Sequence, residues 1–131
     1  MTRFGLYPWL PTDDADLVHP DDIALARSAP PFGEVVELMP SDSPDYLCLR
    51  YGAGLVRARP GPLQALPDAA FAYDAPVRTV APRSSRAGRI RRIVWHHGRQ
   101  AYDYYLAIDG KAHSARYRDD ELEPDAGGAA P

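Results

Sequence analysis

The chain has 131 residues, a formal net charge of −3 and 45% apolar side chains, enough to bury one ordinary core or two very small ones, so wholesale disorder is excluded. Fourteen prolines and ten glycines are spread along it, which excludes a few long helices and favours short elements joined by turns. No stretch approaches the roughly 20 consecutive apolar residues needed to cross a bilayer, and one cysteine, Cys48, excludes an internal disulfide and offers at most one metal ligand.

In chain order, Phe4 to Pro11 is apolar, aromatic and broken by two prolines, so it is expected as an extended segment lying against the core. His19-Pro-Asp-Asp-Ile-Ala-Leu-Ala-Arg27 reads as a helix of about two turns. Proline at the first helical position loses no bond, and the aspartates face the positive end of the helix dipole. Gly33 to Met39 reads as a strand, Pro40 to Pro44 as a turn cluster, Tyr46 to Tyr51 as an alternating strand and Gly52 to Gly54 as a second turn. Leu55 to Arg59 is a third strand with Val56 and Ala58 on one face, and Pro60 to Leu66 is expected as one helical or 3₁₀ turn.

The second half follows the same plan. Phe71 to Tyr73 and Val77 to Val80 form an extended lead-in. Gly88 to Trp95 reads as a strand with a bulge near Arg91 and Arg92, because Ile90 and Ile93 cannot share a face under strict alternation. His96 to Gln100 turns, and Tyr102, Tyr104, Leu106 and Ile108 alternate with Asp103, Tyr105, Ala107 and Asp109 as a half-buried strand. Asp109-Gly110 is the strongest hairpin signal in the chain. Lys111 to Tyr117 is a last strand, Asp119 to Pro124 a closing turn, and the Gly/Ala-rich tail from Asp125 is expected to be disordered.

The halves align. Gly33-x-Val-x-x-Leu38 matches Gly88-x-Ile-x-x-Ile93, and Tyr46 to Gly52 matches Tyr104 to Gly110 within one position. The fold expected is mainly β, two small SH3-like bent barrels in tandem with one short N-terminal helix. The first module spans 1–67, the second 68–124, and the tail 125–131.

Three blocks, Phe4-Gly-Leu-Tyr-Pro-Trp9, His19-Pro-Asp-Asp22 and Leu49-Arg-Tyr-Gly52, resemble those of an uncharacterised bacterial family of unknown function in which they occur in this order. The second half, with Ile93-Val-Trp-His-His97, Tyr104-Tyr-Leu106, Asp109-Gly-Lys111 and Asp120-Glu-Leu-Glu-Pro124, is similar to SH3-like and Tudor-like modules. The resemblance covers nearly the whole chain and implies a bacterial source and this architecture. It carries no activity and no catalytic residues. An immunity role against a neighbouring toxin is what such small bacterial proteins suggest by analogy of fold.

No constellation points to an enzyme. His96 and His97 are adjacent on a strand and point to opposite faces, so they do not chelate one metal easily. The aspartates at 13, 14, 16, 21 and 22 sit where capping and solubility account for them; Ser84, Ser85 and Ser114 lack a hydrolase context. Cys48, between two leucines, reads as a small packed side chain. Catalytic residues, cofactors and metals are therefore expected to be none.

Charge is unevenly placed. Residues 1 to 48 carry nine acids against Arg3 and Arg27, whereas residues 78 to 99 carry Arg78, Arg83, Arg86, Arg89, Arg91, Arg92 and Arg99 with no acid. Beside that run lie the aromatics Trp95, Tyr102, Tyr104, Tyr105 and Tyr117, which read either as bulk for a small core or as a surface platform, with Trp95 and Tyr105 the members expected to be exposed. The expected partner-binding residues are Arg83, Arg86, Arg89, Arg92, Trp95, His97 and Tyr105. The expected partner is another protein, a toxin in the immunity version. The alternative is RNA or single-stranded DNA, with phosphates on the arginines and bases on the aromatics; the acidic net charge weighs against it. With no apolar leader at the start, the expected location is the cytoplasm, away from any membrane.

Overall fold

The computed structural model describes residues 3–7, 18–27, 34–52, 54–61, 63–80 and 84–125. The chain divides into two compact units, 1–68 and 69–131. Each contains one five-stranded antiparallel sheet.

In the first unit the strands are β1 (Phe4–Leu6), β2 (Val36–Met39), β3 (Leu47–Tyr51), β4 (Gly54–Ala58) and β5 (Gln64–Leu66), in the order β4-β3-β2-β1-β5. The turn between β2 and β3 is fixed by serines: Ser41 Oγ donates to the Tyr46 carbonyl at 2.7 Å, and Ser43 Oγ accepts from the Asp45 N–H, the role short hydroxyl side chains play in turns. Phe4, Val35, Val36, Leu49 and Val56 are essentially fully buried. The helix forms as expected at its start, as a 3₁₀ turn over Pro20–Asp22 running into α1 (Ile23–Arg27). The preceding segment covers the outer edge of β4. Val18 bridges Ala58, and the His19 N–H donates to the Arg57 carbonyl at 2.9 Å. Pairing at this end of the edge shortens the row of backbone groups that it offers to another strand.

The second unit contains β6 (Pro76–Thr79), β7 (Ala87–His96), β8 (Ala101–Ile108), β9 (Lys111–Ala112) and β10 (Leu122–Pro124), in the order β10-β6-β7-β8-β9. Read along each unit, this is the same plan as the first. The first four strands neighbour one another in sequence order, and the fifth returns beside the first. The bulge is present, with the register of β7 on β8 shifting between Ile90 and Arg92. That shift lets Ile90 and Ile93 both reach the core, opposite Leu106 and Tyr104. All four alternating residues of β8, Tyr102, Tyr104, Leu106 and Ile108, are buried. Asp109 and Gly110 form the two-residue hairpin with φ of 54° and 77°, the left-handed pair that matches strand twist.

Three expectations change. The sheets are mainly β as expected but do not close into barrels; β4 and β5, and β9 and β10, are the ends of open sheets. The strands β5 and β10 replace what the sequence suggests are turns. After a turn in which the Leu63 N–H donates to the Pro60 carbonyl, Gln64–Leu66 pairs with β1; after a 3₁₀ turn at Asp119–Glu121, Leu122–Pro124 pairs with β6. Three residues are too few for alternation to register, and both partners are distant in sequence. Asp125 is no part of a loose tail: it is buried, its N–H donates to the Pro76 carbonyl at 3.1 Å, and its carboxylate lies 3.7 Å from Arg78. The rest of the expected tail, 126–131, lies outside the described residues.

Candidate functional site

The pleat of β7 and β8 sorts the second unit's aromatics. Trp95 is 6% exposed and meets Tyr102 edge-on at 4.9 Å, while Tyr102, Tyr104 and Tyr117 are buried with it. Trp95 is therefore corrected from an exposed contact to a core residue: the bulge at Arg91 resets the alternation, placing Ile93 and Trp95 on the inner face. Tyr104 is the best-buried of the set. Its hydroxyl accepts from the Ala70 N–H at 3.1 Å, and burial pushes its pKa well above the tyrosine norm.

The opposite face carries Arg89, Arg92, Val94 and His96 from β7, facing Ala107, Tyr105, Asp103 and Ala101 from β8. Tyr105 is half-buried, with the Arg91 guanidinium 5.7 Å and that of Arg92 5.5 Å from its ring centroid, within cation–π reach. Arg89 donates to the Asp74 carbonyl at 2.9 Å and Arg91 to the His113 carbonyl at 3.0 Å. Both acceptors are neutral, so these bonds fix the side chains without cancelling their charge. The buried Nε of Arg91 has no hydrogen-bond partner among the described residues. The bulge brings Arg91 and Arg92 together against one tyrosine, forming an arginine shelf.

Below the shelf the same face opens into a cleft of about 570 Å³ lined by His96, Arg99, Asp103, Arg116, Arg118, Asp120 and Glu121. Its floor is the Asp103 side chain, 4% exposed, with Arg99 at 2.5 Å and Arg116 at 4.0 Å. Sequence reading missed this cleft. An aspartate amid the tyrosines of β8 was the available signal, but alternation alone makes it a solvated outer residue. What buries it is the turn at His97–Gln100, which brings Arg99 back over the strand; that turn is closed by the Arg99 N–H donating to His96 Nδ1 at 3.1 Å.

Of the other expected contacts, Arg86 and His97 are exposed on loops at either end of β7, apart from the shelf, and Arg83 lies outside the described residues. Arg89, Arg92 and Tyr105 are the ones the fold brings together.

In the first unit several titratable side chains are tied to structure. Arg57 donates through Nε to Asp22 at 2.8 Å, and its backbone N–H donates to the same carboxylate at 2.9 Å. The Arg57 side-chain bond holds the Asp22 carboxyl below the usual carboxylate range against the opposing pull of desolvation. Burial pushes the Cys48 thiol up, away from a reactive thiolate. Among the described residues no group of three or more His, Cys, Asp or Glu side chains is placed to hold a metal ion, and no helix is long and apolar enough to cross a membrane.

A family of unknown function, DUF6960, matches residues 1–123. The chain belongs to that family. The match spans both sheets, so the DUF6960 unit is the tandem pair and not either sheet alone. No curated protein and no solved structure matches the chain.

Proposed function

We infer that this DUF6960 protein is a non-enzymatic binding module of the bacterial cytoplasm whose second unit recognises an acidic surface on another protein. One observation carries the reading. Arg89 and Arg91 are pinned by backbone carbonyls and stand beside Arg92 and Tyr105, so a fixed cluster of positive charge faces outward. Arginine held in this way has lost much of its side-chain entropy before binding, and charge complementarity then speeds association and sets orientation. A toxin with an acidic active-site surface is one partner of this chemistry, which is the immunity version of the reading.

Nucleic acid is the second reading. Base stacking needs open rings, and this unit buries Trp95, Tyr102, Tyr104 and Tyr117 while Tyr105 already has two guanidinium groups against it. The chain's net charge of −3 adds to the case against a phosphate-tracking surface. The protein reading is the better supported.

The test uses the full chain with an affinity handle in its native host. The expected result is a co-purifying acidic protein that is lost when Arg89→Glu and Arg92→Glu are combined and retained with Arg50→Glu in the first unit. Capture that survives the double reversal would sink the proposal. A parallel titration of a labelled oligonucleotide at low salt, followed by anisotropy, is expected to show no saturable binding; saturation abolished by the same double reversal would establish the nucleic-acid reading instead.

A further inference from the structure

We propose that the turn at His97–Gln100 is a pH-sensitive latch, held shut by neutral His96 and released when that ring takes up a proton. The closing bond runs from the Arg99 N–H to His96 Nδ1 at 3.1 Å. An imidazole nitrogen accepts only while it carries no proton, so the neutral ring is the tautomer protonated at Nε2. Protonation places a second N–H at Nδ1, facing that of Arg99, and the bond becomes a contact between two donors. The ring has little room to swing aside. A Cβ built on Gly98 would lie 3.2 Å from His96 Cε1 and 3.5 Å from Nδ1. Relief therefore comes from the turn.

That turn is poised to open. Gln100 holds a left-handed backbone, φ 51°, without being glycine, a conformation that persists only where its surroundings enforce it. Few bonds enforce it here. The Gln100 N–H and its side-chain Nε2 both donate to the one His97 carbonyl, at 3.3 Å and 2.8 Å. The other ties are the bond to His96 and the Arg99 guanidinium on the Asp103 carboxylate. Opening the turn carries Arg99 off that carboxylate and lets water reach the floor of the cleft, where the Asp103 side chain is 4% exposed.

The charged groups around the ring come from every element that lines the cleft. Arg99 belongs to the turn itself, Asp103 to β8, Arg116 and Arg118 to the segment after β9, and Asp120 and Glu121 to the 3₁₀ turn. Three cations stand against three anions, so their formal charges cancel and the acceptor bond decides which form of the ring the closed turn accommodates. The turn is shut above the pH range in which histidine titrates and released as pH falls through it. The latch stands apart from the arginine shelf and does not depend on what the shelf binds.

The experiment is an NMR titration of the full chain from about pH 8 to about pH 5, across the histidine range. The His96 ring resonances report protonation, and nitrogen relaxation at the Arg99 and Gln100 amides reports the turn. Both amides are expected to fall from the order parameter of rigid backbone, about 0.85, to below about 0.6, with the midpoint of the His96 ring. His96→Asn keeps an acceptor oxygen near the place of Nδ1 and has no proton to gain, so its turn is expected to stay rigid throughout. His97, exposed at the next position, is the control: His97→Asn is expected to leave the response unchanged.

Arg99 and Gln100 amides that stay rigid through the His96 midpoint would overturn the latch. So would a response that survives His96→Asn or disappears with His97→Asn, since the proton would then act elsewhere. The wild-type titration and His97→Asn decide the matter even where His96→Asn does not fold. Failure of the latch leaves the shelf reading standing, because neither Arg89 nor Arg91 belongs to the turn.

Discussion

The two units share a strand order and differ in what they do with arginine. In the first, Arg57 is bound to Asp22 at 2.8 Å and Arg3 to Glu37 at 3.2 Å, so the charges meet carboxylates within the same unit. In the second, Arg78 and Arg99 also meet carboxylates, Asp125 and Asp103, but Arg89 and Arg91 are bound to carbonyls. One plan thus serves two ends. Where acid and base are paired, the charges close an edge and hold a helix start; where arginine meets neutral acceptors, the charge remains for something else. The difference follows from sequence placement, since nine acids precede residue 49 and none lies between Arg78 and Arg99.

The largest test of the shared plan is in the cores. Leu49 in β3 and Leu106 in β8 occupy the third strand of their respective sheets, and both are 0% exposed. Leu49→Ala and Leu106→Ala are each expected to cost about 2–5 kcal/mol, read by urea denaturation, with faster amide exchange in the strands that pair with the altered one. A cost below about 1 kcal/mol at one site alone would break the equivalence, because a position that tolerates truncation is no core centre. Next comes Gly88, at the start of the curled β7. A Cβ built there would meet the Ala107 carbonyl oxygen at 2.8 Å and Ile108 Cγ1 at 2.9 Å. Gly88→Ala is expected to cost about 1–3 kcal/mol by forcing β7 away from β8. In the first unit a close approach is found at Gly5 of β1, where a built Cβ would lie 2.7 Å from the Gln64 carbonyl oxygen; Gly33, the residue aligned with Gly88, lies outside the described residues. A neutral Gly88→Ala beside a costly Gly5→Ala would mean that only the first sheet depends on such an approach.

Much of this architecture is legible in the residues, for reasons of range. The bulge at Arg91 is readable because Ile90 and Ile93 conflict with a period of two within four positions, and the Asp109-Gly110 hairpin because its φ demands select those residues locally. The helix start at Pro20 is equally local. Invisible were β5 and β10, three-residue strands that exist only because β1 and β6 offer them an edge. The expectation that Trp95 is exposed failed because burial at that position depends on which side of the bulge the alternation is counted from. The cleft failed to register for a related reason: Asp103 and Arg99 are separated by a turn whose hydrogen bonds bring the guanidinium back over the strand, and Arg116 arrives from another segment altogether.

The smallest expected effect bears on the first unit's use of its charges. If the Asp22–Arg57 pair serves to close the β4 edge, its contribution must vanish with the carboxylate's charge. The folded-state pKa of Asp22 is depressed below the ordinary aspartate value of 3.8, so the unfolded chain takes up the proton first as pH falls. The stabilisation is therefore complete well above 3.8 and is lost as pH drops through the folded-state value. Asp22→Asn, which cannot carry that charge, is expected to lower stability by about 1 kcal/mol near neutral pH, as loss of charge-assisted bonds at a partly exposed site does. Urea denaturation of both proteins as a function of pH checks the sign: the gap between wild type and variant should narrow steadily on acidification below 3.8. A gap that stays constant would mean that Asp22 acts through shape alone. The pairing of charges would then be incidental to how the first sheet protects its edge, and the contrast with the second unit would rest on its arginines alone.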